Sequence, residues 1–292
     1  MPLVASKELL EYARAARFAV GAFNADNMET VQAVIEAAQE ERAPVILQVS
    51  RPTINYASLA MAAGMVKIAA SQVDVPVVLH LDHGNSFEQN ARCLGEGFTS
   101  LMFDGSGLPY EENVAQTAKI VELAHITGIP VEAELGTVLQ VGATLEEVVT
   151  AMTDPDLALD FVRRTGCDSL AIAVGSIHGM KESTADLDIN RVRTIYEKVS
   201  IPLVLHGGSG IRDESVRAAI ENGICKVNVG TFLKQGFVTG MCRAFEAMPH
   251  EIDFRKFLAL AREAAKECVR EKIRLFKSSG RISSLKHSWR TL

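Results

Sequence analysis

The sequence has no apolar run approaching the roughly 20 residues that a membrane-spanning helix requires. It has no basic excess either: 30 lysines and arginines against 36 aspartates and glutamates leave a formal charge of −6. A nucleic-acid partner would need clustered positive charge to displace phosphate counterions, and that class is excluded. Aromatic residues are scarce, at 6% with one tryptophan. Cysteine is sparse too: Cys93, Cys167, Cys225, Cys242 and Cys268 are an odd, scattered set without a Cys-x-x-Cys pair or the density of a disulfide scaffold. The opening MPLVASKELLEYARAARF lacks the basic and apolar regions of a secretory leader. These absences predict a cytoplasmic protein with reduced thiols and no membrane or nucleic-acid partner. Apolar residues at 48% and charged residues at 23% exclude overall disorder.

No linker rich in proline, glycine or serine interrupts the chain, so nothing marks a domain boundary. One unit recurs instead: a short β-branched apolar run followed by a stretch of helical periodicity. The runs are FAVGAFN (18–24), PVILQVS (44–50), PVVLHLDH (76–83), SLMFDGS (100–106), PVEAELG (130–136), SLAIAVG (169–175), PLVLHG (202–207) and KVNVGT (226–231). Among the helical stretches between them, such as 27–43, 110–128, 153–166 and 212–223, several begin on an Asn, Thr or Asp cap and several end on Gly. The runs are continuously apolar, as parallel strands covered on both faces are. Eight βα units predict an α/β fold, a single-domain (β/α)₈ TIM barrel over residues 1–292. Residues 5–16 read as an extra helix plugging the barrel bottom through Leu9, Leu10, Tyr12 and Ala13. Residues 253–280 read as a long amphipathic helix closed by Gly280, opening a C-terminal extension over 253–292. Its apolar face serves either the barrel's outside or a subunit contact, giving a homodimer or homotetramer. The final RISSLKHSWRTL reads as a basic, mobile tail.

Barrel chemistry sits at the C-terminal ends of strands. Polar residues crowd there: Asn24, Ser50, Asp82 with His83, Asp104, Glu132 and Glu134, His178, His206, then Asn228 and Thr231. Three histidines ending three different strands form the donor set of a catalytic Zn²⁺, with a fourth position open to water or substrate. His83, His178 and His206 are therefore the candidate ligands. His80 shares the inward direction of Asp82 and reads as a weaker core candidate; His125, His250 and His287 read as surface or helix residues. Asp82, an acid beside a metal-bound substrate, suits general acid/base work. Asp104, Glu132 and Glu134 either hold ligand imidazoles in the right tautomer or bind a second cation, for which Na⁺ or K⁺ is the monovalent candidate. The glycines of His206-Gly207-Gly208-Ser209-Gly210 and Val229-Gly230-Thr231 follow strands seven and eight, where barrels commonly bind phosphate through backbone N–H groups.

With these motifs the chain resembles the class II, zinc-dependent ketose-bisphosphate aldolases, which include fructose- and tagatose-bisphosphate aldolases. The segments GAFN, LHLDHG, SLMFDGS, VEAELG, 153–179, PLVLHGGSGI and KVNVGT carry the resemblance over nearly the whole length. It implies a reversible cleavage of a ketose (bis)phosphate to dihydroxyacetone phosphate and an aldehyde such as glyceraldehyde 3-phosphate. Asp82 would be the acid/base, His83, His178 and His206 the ligands of a Zn²⁺ that stabilises the enediolate. Gly179, Gly207, Gly208, Ser209, Asn228, Val229, Gly230 and Thr231 would bind dihydroxyacetone phosphate; Asn24 and Ser50 are further substrate-side candidates from their strand ends.

Two stretches depart from the family's pattern. The loop after strand five, GTVLQVGATLEEVVTAM (136–152), lacks a Gly-Gly-x-Glu-Asp type motif, leaving Glu146 and Glu147 as candidate bases for the enolisation proton. SRPTINYAS (50–58) lacks the lysine of an SxGAxKY-like pattern. Strand six has no lysine for a Schiff base. Two alternatives stay open: a metal-dependent barrel hydrolase or lyase acting on another sugar phosphate, and a regulatory subunit that kept the barrel but lost turnover.

Overall fold

Eight parallel strands form one sheet in the order β3-β2-β1-β8-β7-β6-β5-β4 in the computed structural model, which describes residues 3–284. They are β1 (Val20–Asn24), β2 (Val45–Ser50), β3 (Val77–Asp82), β4 (Leu101–Phe103), β5 (Val131–Leu135), β6 (Ser169–Ile172), β7 (Leu203–Leu205) and β8 (Ile224–Val229). Parallel bridges His80↔Ser100 and Gly84↔Phe103 bring the two edge strands together and close the sheet into a (β/α)₈ barrel. Closure removes the unpaired edges that an open sheet would have to protect.

The helices are α1 (Ser6–Ala16), α2 (Met28–Glu41), α3 (Arg51–Ala57), α4 (Leu59–Ala70), α5 (Phe87–Gly95), α6 (Tyr110–His125), α7 (Leu145–Thr150), α8 (Pro155–Thr165), α9 (Ile189–Lys198), α10 (Asp213–Glu221), α11 (Thr231–Ala247) and α12 (Phe254–Leu275). Several starts carry the expected caps, whereas α1, α6, α10 and α11 begin without a side-chain cap. Asn27 Oδ1 accepts from the Thr30 N–H at 2.9 Å while Thr30 Oγ1 accepts from the Asn27 N–H at 3.0 Å, a reciprocal pair that satisfies two free donors of α2. Asp154 accepts from two N–H groups of α8, whose Pro155 needs no donor of its own. No helix among the described residues is long and apolar enough to cross a membrane.

Outward strand residues such as Val45, Leu47, Leu79 and Leu101 pack beneath the helices in the main core. The barrel's interior is a different environment, and it changes with height. At the bottom, Val20, Ala22, Ile46 and Val78 form an apolar cluster with Val4, Leu9, Leu10, Ala13 and Phe18. That is the plug expected of α1, with Tyr12 at its margin. Above it the interior turns polar, where Gln48, His80, Glu132 and Lys226 are buried. Asn24, Asp82, Glu134, His206 and Asn228 are buried too, toward the strands' C-terminal ends.

The C-terminal helix is shorter than its periodicity suggests. It ends at Leu275, and Gly280, with φ 75°, belongs to a following turn whose N–H donates to the Glu41 carbonyl at 2.9 Å. Its buried stripe of Ala261, Ala265, Val269 and Ile273 repeats every four residues and packs toward the barrel. A side chain at Gly240 of α11 would meet Ala264 Cβ at 2.7 Å, so the glycine permits the close α11–α12 approach. Residues 285–292, which hold most of the expected basic tail and His287, lie outside the described residues.

Leu9→Ala removes a fully buried anchor of the plug. Its cost is expected at about 2–5 kcal/mol, read as a lower urea midpoint with no change in the folded protein's far-UV spectrum.

Candidate functional site

Each polar group at the barrel's top is placed by the strand below it. β3 ends at Asp82, and the chain turns sharply at His83, whose φ of 51° is left-handed and unfavourable for a residue with a Cβ. The turn is held from outside: Gly84 pairs with Phe103, its carbonyl accepts from the Asp104 N–H at 2.8 Å, and a Cβ at Gly84 would lie 2.4 Å from the Met102 carbonyl. Backbone strain of this kind persists where surrounding contacts over-determine it. Here it aims the imidazole inward, where Nδ1 and Asp104 Oδ2 are 2.7 Å apart.

His206 follows β7 and is fully buried, and His178 follows β6. The ring centroids lie 5.2 Å (His83 to His178), 4.7 Å (His83 to His206) and 6.0 Å (His178 to His206) apart. One ligand atom from each of the three lies within 4.8 Å of the others. The Nε2 of His206 is 3.0 Å from Glu132 Oε1, a hydrogen bond to a carboxylate. Its Nδ1 faces Glu134 Oε2 at 3.3 Å, yet neither atom has a hydrogen-bond partner. A buried carboxylate oxygen facing a buried ring nitrogen calls for positive charge between them: against burial, Glu132 and Glu134 raise the pKa of the His206 ring, and a divalent metal bound by neutral imidazoles would serve the same need.

The acids and bases are tightly coupled. Burial opposes the charged form of His83, but Asp82, Asp104 and Glu134 outweigh it and raise its pKa to about 10. Burial and the charges of His206 and His83 lower His178 to about 4. Burial also pushes Asp82 upward, against His83, His206 and Lys226, which together leave its carboxyl below the usual range. Its Oδ1 accepts from Asn228 Nδ2 at 3.0 Å and lies 3.9 Å from His83 Nε2. A buried carboxylate held below its usual pKa range beside three clustered imidazoles is in the form that can accept a proton.

Two cavities meet at these residues. The narrow one, about 120 Å³, is lined by Asn24, Gln48, Asp82, Asn228 and the loops at Gly179, Gly207, Ser209, Gly230 and Thr231. The wide one, about 760 Å³, adds Asp104, Glu134, Lys234 and the loop at Thr137–Gln140, and shares His83, His178, Gly179 and Thr231 with the first. A Cβ at Gly230 would fall 2.7 Å from Asn24 Oδ1. Backbone is thereby exposed to any ligand in the narrow cavity.

Several expected residues do other work. Ser50 lines neither cavity; it caps α3, accepting from the Thr53 N–H. Val229 points outward into the apolar core, because side chains alternate along β8, and only its backbone neighbours the site. Gly208 sits in a tight turn against Val227 and Asn228 and is absent from the cavity walls. Glu132 lies beneath the cavities. Glu147 is an exposed cap of α7, bonded to the Thr144 N–H at 2.7 Å, and Glu146 is also exposed. Neither reaches a cavity; among the described residues the acids that do are Asp82, Asp104 and Glu134.

Three residues were missed. Gln48 lines the narrow cavity and donates to Asn24 Oδ1 at 3.0 Å. Lys234 lines the wide one, 3.3 Å from Asp26. Lys226 lies fully buried in the barrel, bonded to Glu132 and near His80, whose pKa burial and that ammonium lower to about 3. The spacing of Lys226 two before Asn228 was the available signal, since both then face inward.

The family model described as "Fructose-bisphosphate aldolase class-II" matches residues 4–281. The "Probable fructose-bisphosphate aldolase" of Bacillus subtilis (strain 168) is 44% identical over 285 residues, covering 96% of this chain and 99% of the relative. The "Fructose-bisphosphate aldolase" of Thermus caldophilus is 40% identical over 304 residues, with the same coverage of 96% and 99%. The crystal structure of the YdjI aldolase from Escherichia coli K12 superposes with a TM-score of 0.85 at 36% identity, over 96% of this chain and 99% of that one. The chain belongs to the class II fructose-bisphosphate aldolase family.

Proposed function

We propose that this protein is a zinc-dependent aldolase that reversibly cleaves a ketose (bis)phosphate to dihydroxyacetone phosphate and an aldehyde such as glyceraldehyde 3-phosphate. The observation that carries the reading is the convergence of His83, His178 and His206 beside an ionised Asp82, with His206 Nδ1 unpartnered. The donor set fits Zn²⁺, a borderline ion bound readily by imidazole. Bound there, it supplies a Lewis acid for the substrate carbonyl.

The protein's own residues do the rest. Gly179, Gly207, Gly230, Ser209 and Thr231 surround the narrow cavity and suit the phosphate of dihydroxyacetone phosphate. α11 begins at Thr231, so its positive N-terminal end favours an anion at that wall. Ser209 is fixed by accepting from the Phe232 N–H at 3.0 Å, and Asn24 by Gln48. Phosphate binding then goes into orienting the reacting carbons rather than into the chemistry itself. Asp82, held by Asn228, takes the hydroxyl proton in cleavage and returns it to the aldehyde oxygen in condensation. The wide cavity receives the aldehyde half. Lys234 is the one ammonium among its lining residues and suits an anionic group at the far end of that half. A non-catalytic role is disfavoured by the Asp82–Asn228 contact, which spends a buried amide on holding one carboxylate.

Asp82→Asn is expected to lower kcat by about 10²–10⁴-fold in steady-state condensation assays, with bound zinc unchanged by elemental analysis. Loss of zinc in the variant would mean that Asp82 orients a ligand instead. Chelation should abolish condensation of dihydroxyacetone phosphate with glyceraldehyde 3-phosphate, and added Zn²⁺ should restore it. Full activity after metal removal would sink the reading. Lys234→Ala should raise KM for a phosphorylated aldehyde by about 10–100-fold, the worth of a charged hydrogen bond, while proton exchange on dihydroxyacetone phosphate alone stays unchanged. An equal loss in both assays would place Lys234 with the first substrate.

A further inference from the structure

Lys226 is the fully buried cation of the barrel interior, and it touches neither cavity. Its Nζ lies 2.9 Å from Glu132 Oε1, 2.7 Å from Glu132 Oε2 and 3.2 Å from His80 Nε2. An ammonium has three protons to donate and nothing with which to accept, so these partners use all of them. A buried ion pair adds little net stability over apolar residues of the same volume. Its place two residues below the site calls for another role.

The donor-only character of the ammonium fixes the direction of every neighbouring proton. His80 Nε2 must present its lone pair, so its proton sits on Nδ1 and goes to Ser100 Oγ at 2.8 Å. Ser100 Oγ shares a further hydrogen bond of 2.8 Å with Ser6 Oγ, on the helix that plugs the barrel. On the other side, both oxygens of Glu132 face the ammonium, and the carboxylate is held as an acceptor. Only a donor can then satisfy the 3.0 Å contact from His206 Nε2 to Glu132 Oε1. In the neutral ring, the form that can ligate a metal, the proton of His206 is confined to Nε2. Nδ1 is then the bare atom, and it is the one turned toward Glu134 at 3.3 Å.

We propose that Lys226 is a positioning residue for the metal: by pinning Glu132 as an acceptor, it sets His206 in the tautomer whose Nδ1 can ligate. The proposal rests on the metal reading of the site. Carboxylates that hold a ligand histidine's second nitrogen contribute roughly tenfold to a hundredfold in metal affinity, and Lys226 acts one residue further back.

The test uses the full-length protein as wild type, Lys226→Met and the double variant Lys226→Met/Glu132→Gln. Lys226→Met leaves a buried carboxylate without its counter-charge. The double variant removes both charges and keeps the shape, so it measures the same loss in a barrel that has no unpaired charge to bury. Zinc affinity is measured by competition with a chromogenic chelator, and the protonated ring nitrogen of His206 by ¹⁵N spectra of the metal-free protein. In each folded variant zinc should bind about 10–100-fold more weakly, and the His206 proton should leave Nε2 for a mixture of both nitrogens, because an unpinned carboxyl or amide can turn a donor toward the ring. A folded variant that binds zinc indistinguishably from wild type, with the proton still on Nε2, overturns the proposal. Wild-type protein that takes up no zinc overturns instead the reading of the site on which it rests.

Discussion

An imidazole offers a metal its lone pair only on the nitrogen that carries no proton, and a neutral ring always carries one on the other. The site in this barrel depends on where those protons are held. Asp104 engages Nδ1 of His83 at 2.7 Å, and Glu132 engages Nε2 of His206 at 3.0 Å, so the two rings present opposite nitrogens. His178 is placed differently: its N–H donates to the Leu139 carbonyl at 2.8 Å and its carbonyl accepts from the Val141 N–H at 3.1 Å. Its position is therefore tied to the loop after β5, whereas the other two are tied to the barrel. A displacement of that loop would move one candidate ligand and part of the wide cavity's wall together.

Much of this was legible because a parallel barrel imposes two simple rules. Strands covered on both faces are apolar throughout, so a polar residue at their C-terminal ends stands out. The eight strands are legible on that ground, and the same ground makes His83, Asp82, His206 and Asn228 candidates, whose side chains the structure gathers at one end of the barrel. Helix boundaries were less secure. A long periodic run does not say where an amphipathic helix stops, and α12 ends before its glycine because Phe276 turns back into the core.

Where structure and expectation part, a polar residue's partners are remote in sequence or lie in the element that begins beside it. Ser50 was read as a substrate contact, yet a helix starts at Arg51 and its hydroxyl becomes the cap. Glu147, one of two candidate bases, is half of a capping box with Thr144 three residues earlier. Lys226 carries little signal of its own, since lysines are rarely buried. Its partners Glu132 and His80 lie 94 and 146 residues away, and only barrel closure brings them within reach. Val229 was included with its neighbours, although alternation along a strand assigns it to the opposite face.

The division of charge between the two cavities explains how a protein of net charge −6 can take an anionic substrate. The narrow cavity contains no lysine or arginine among its lining residues, so a phosphate placed there as proposed would be held by backbone N–H groups, hydroxyls and the end of α11. Such donors neither titrate nor require a flexible side chain to be ordered on binding. A lysine in their place would stand close to Asp82 and compete for the carboxylate that must stay free to move a proton. In the wide cavity the opposite arrangement holds: Lys234 is half exposed on α11 and already shared with Asp26. Its attraction for a ligand is weakened by salt and by that neighbour. On the proposed placement, the phosphate half would meet fixed backbone and hydroxyl donors, and the aldehyde half a lysine whose position can adjust.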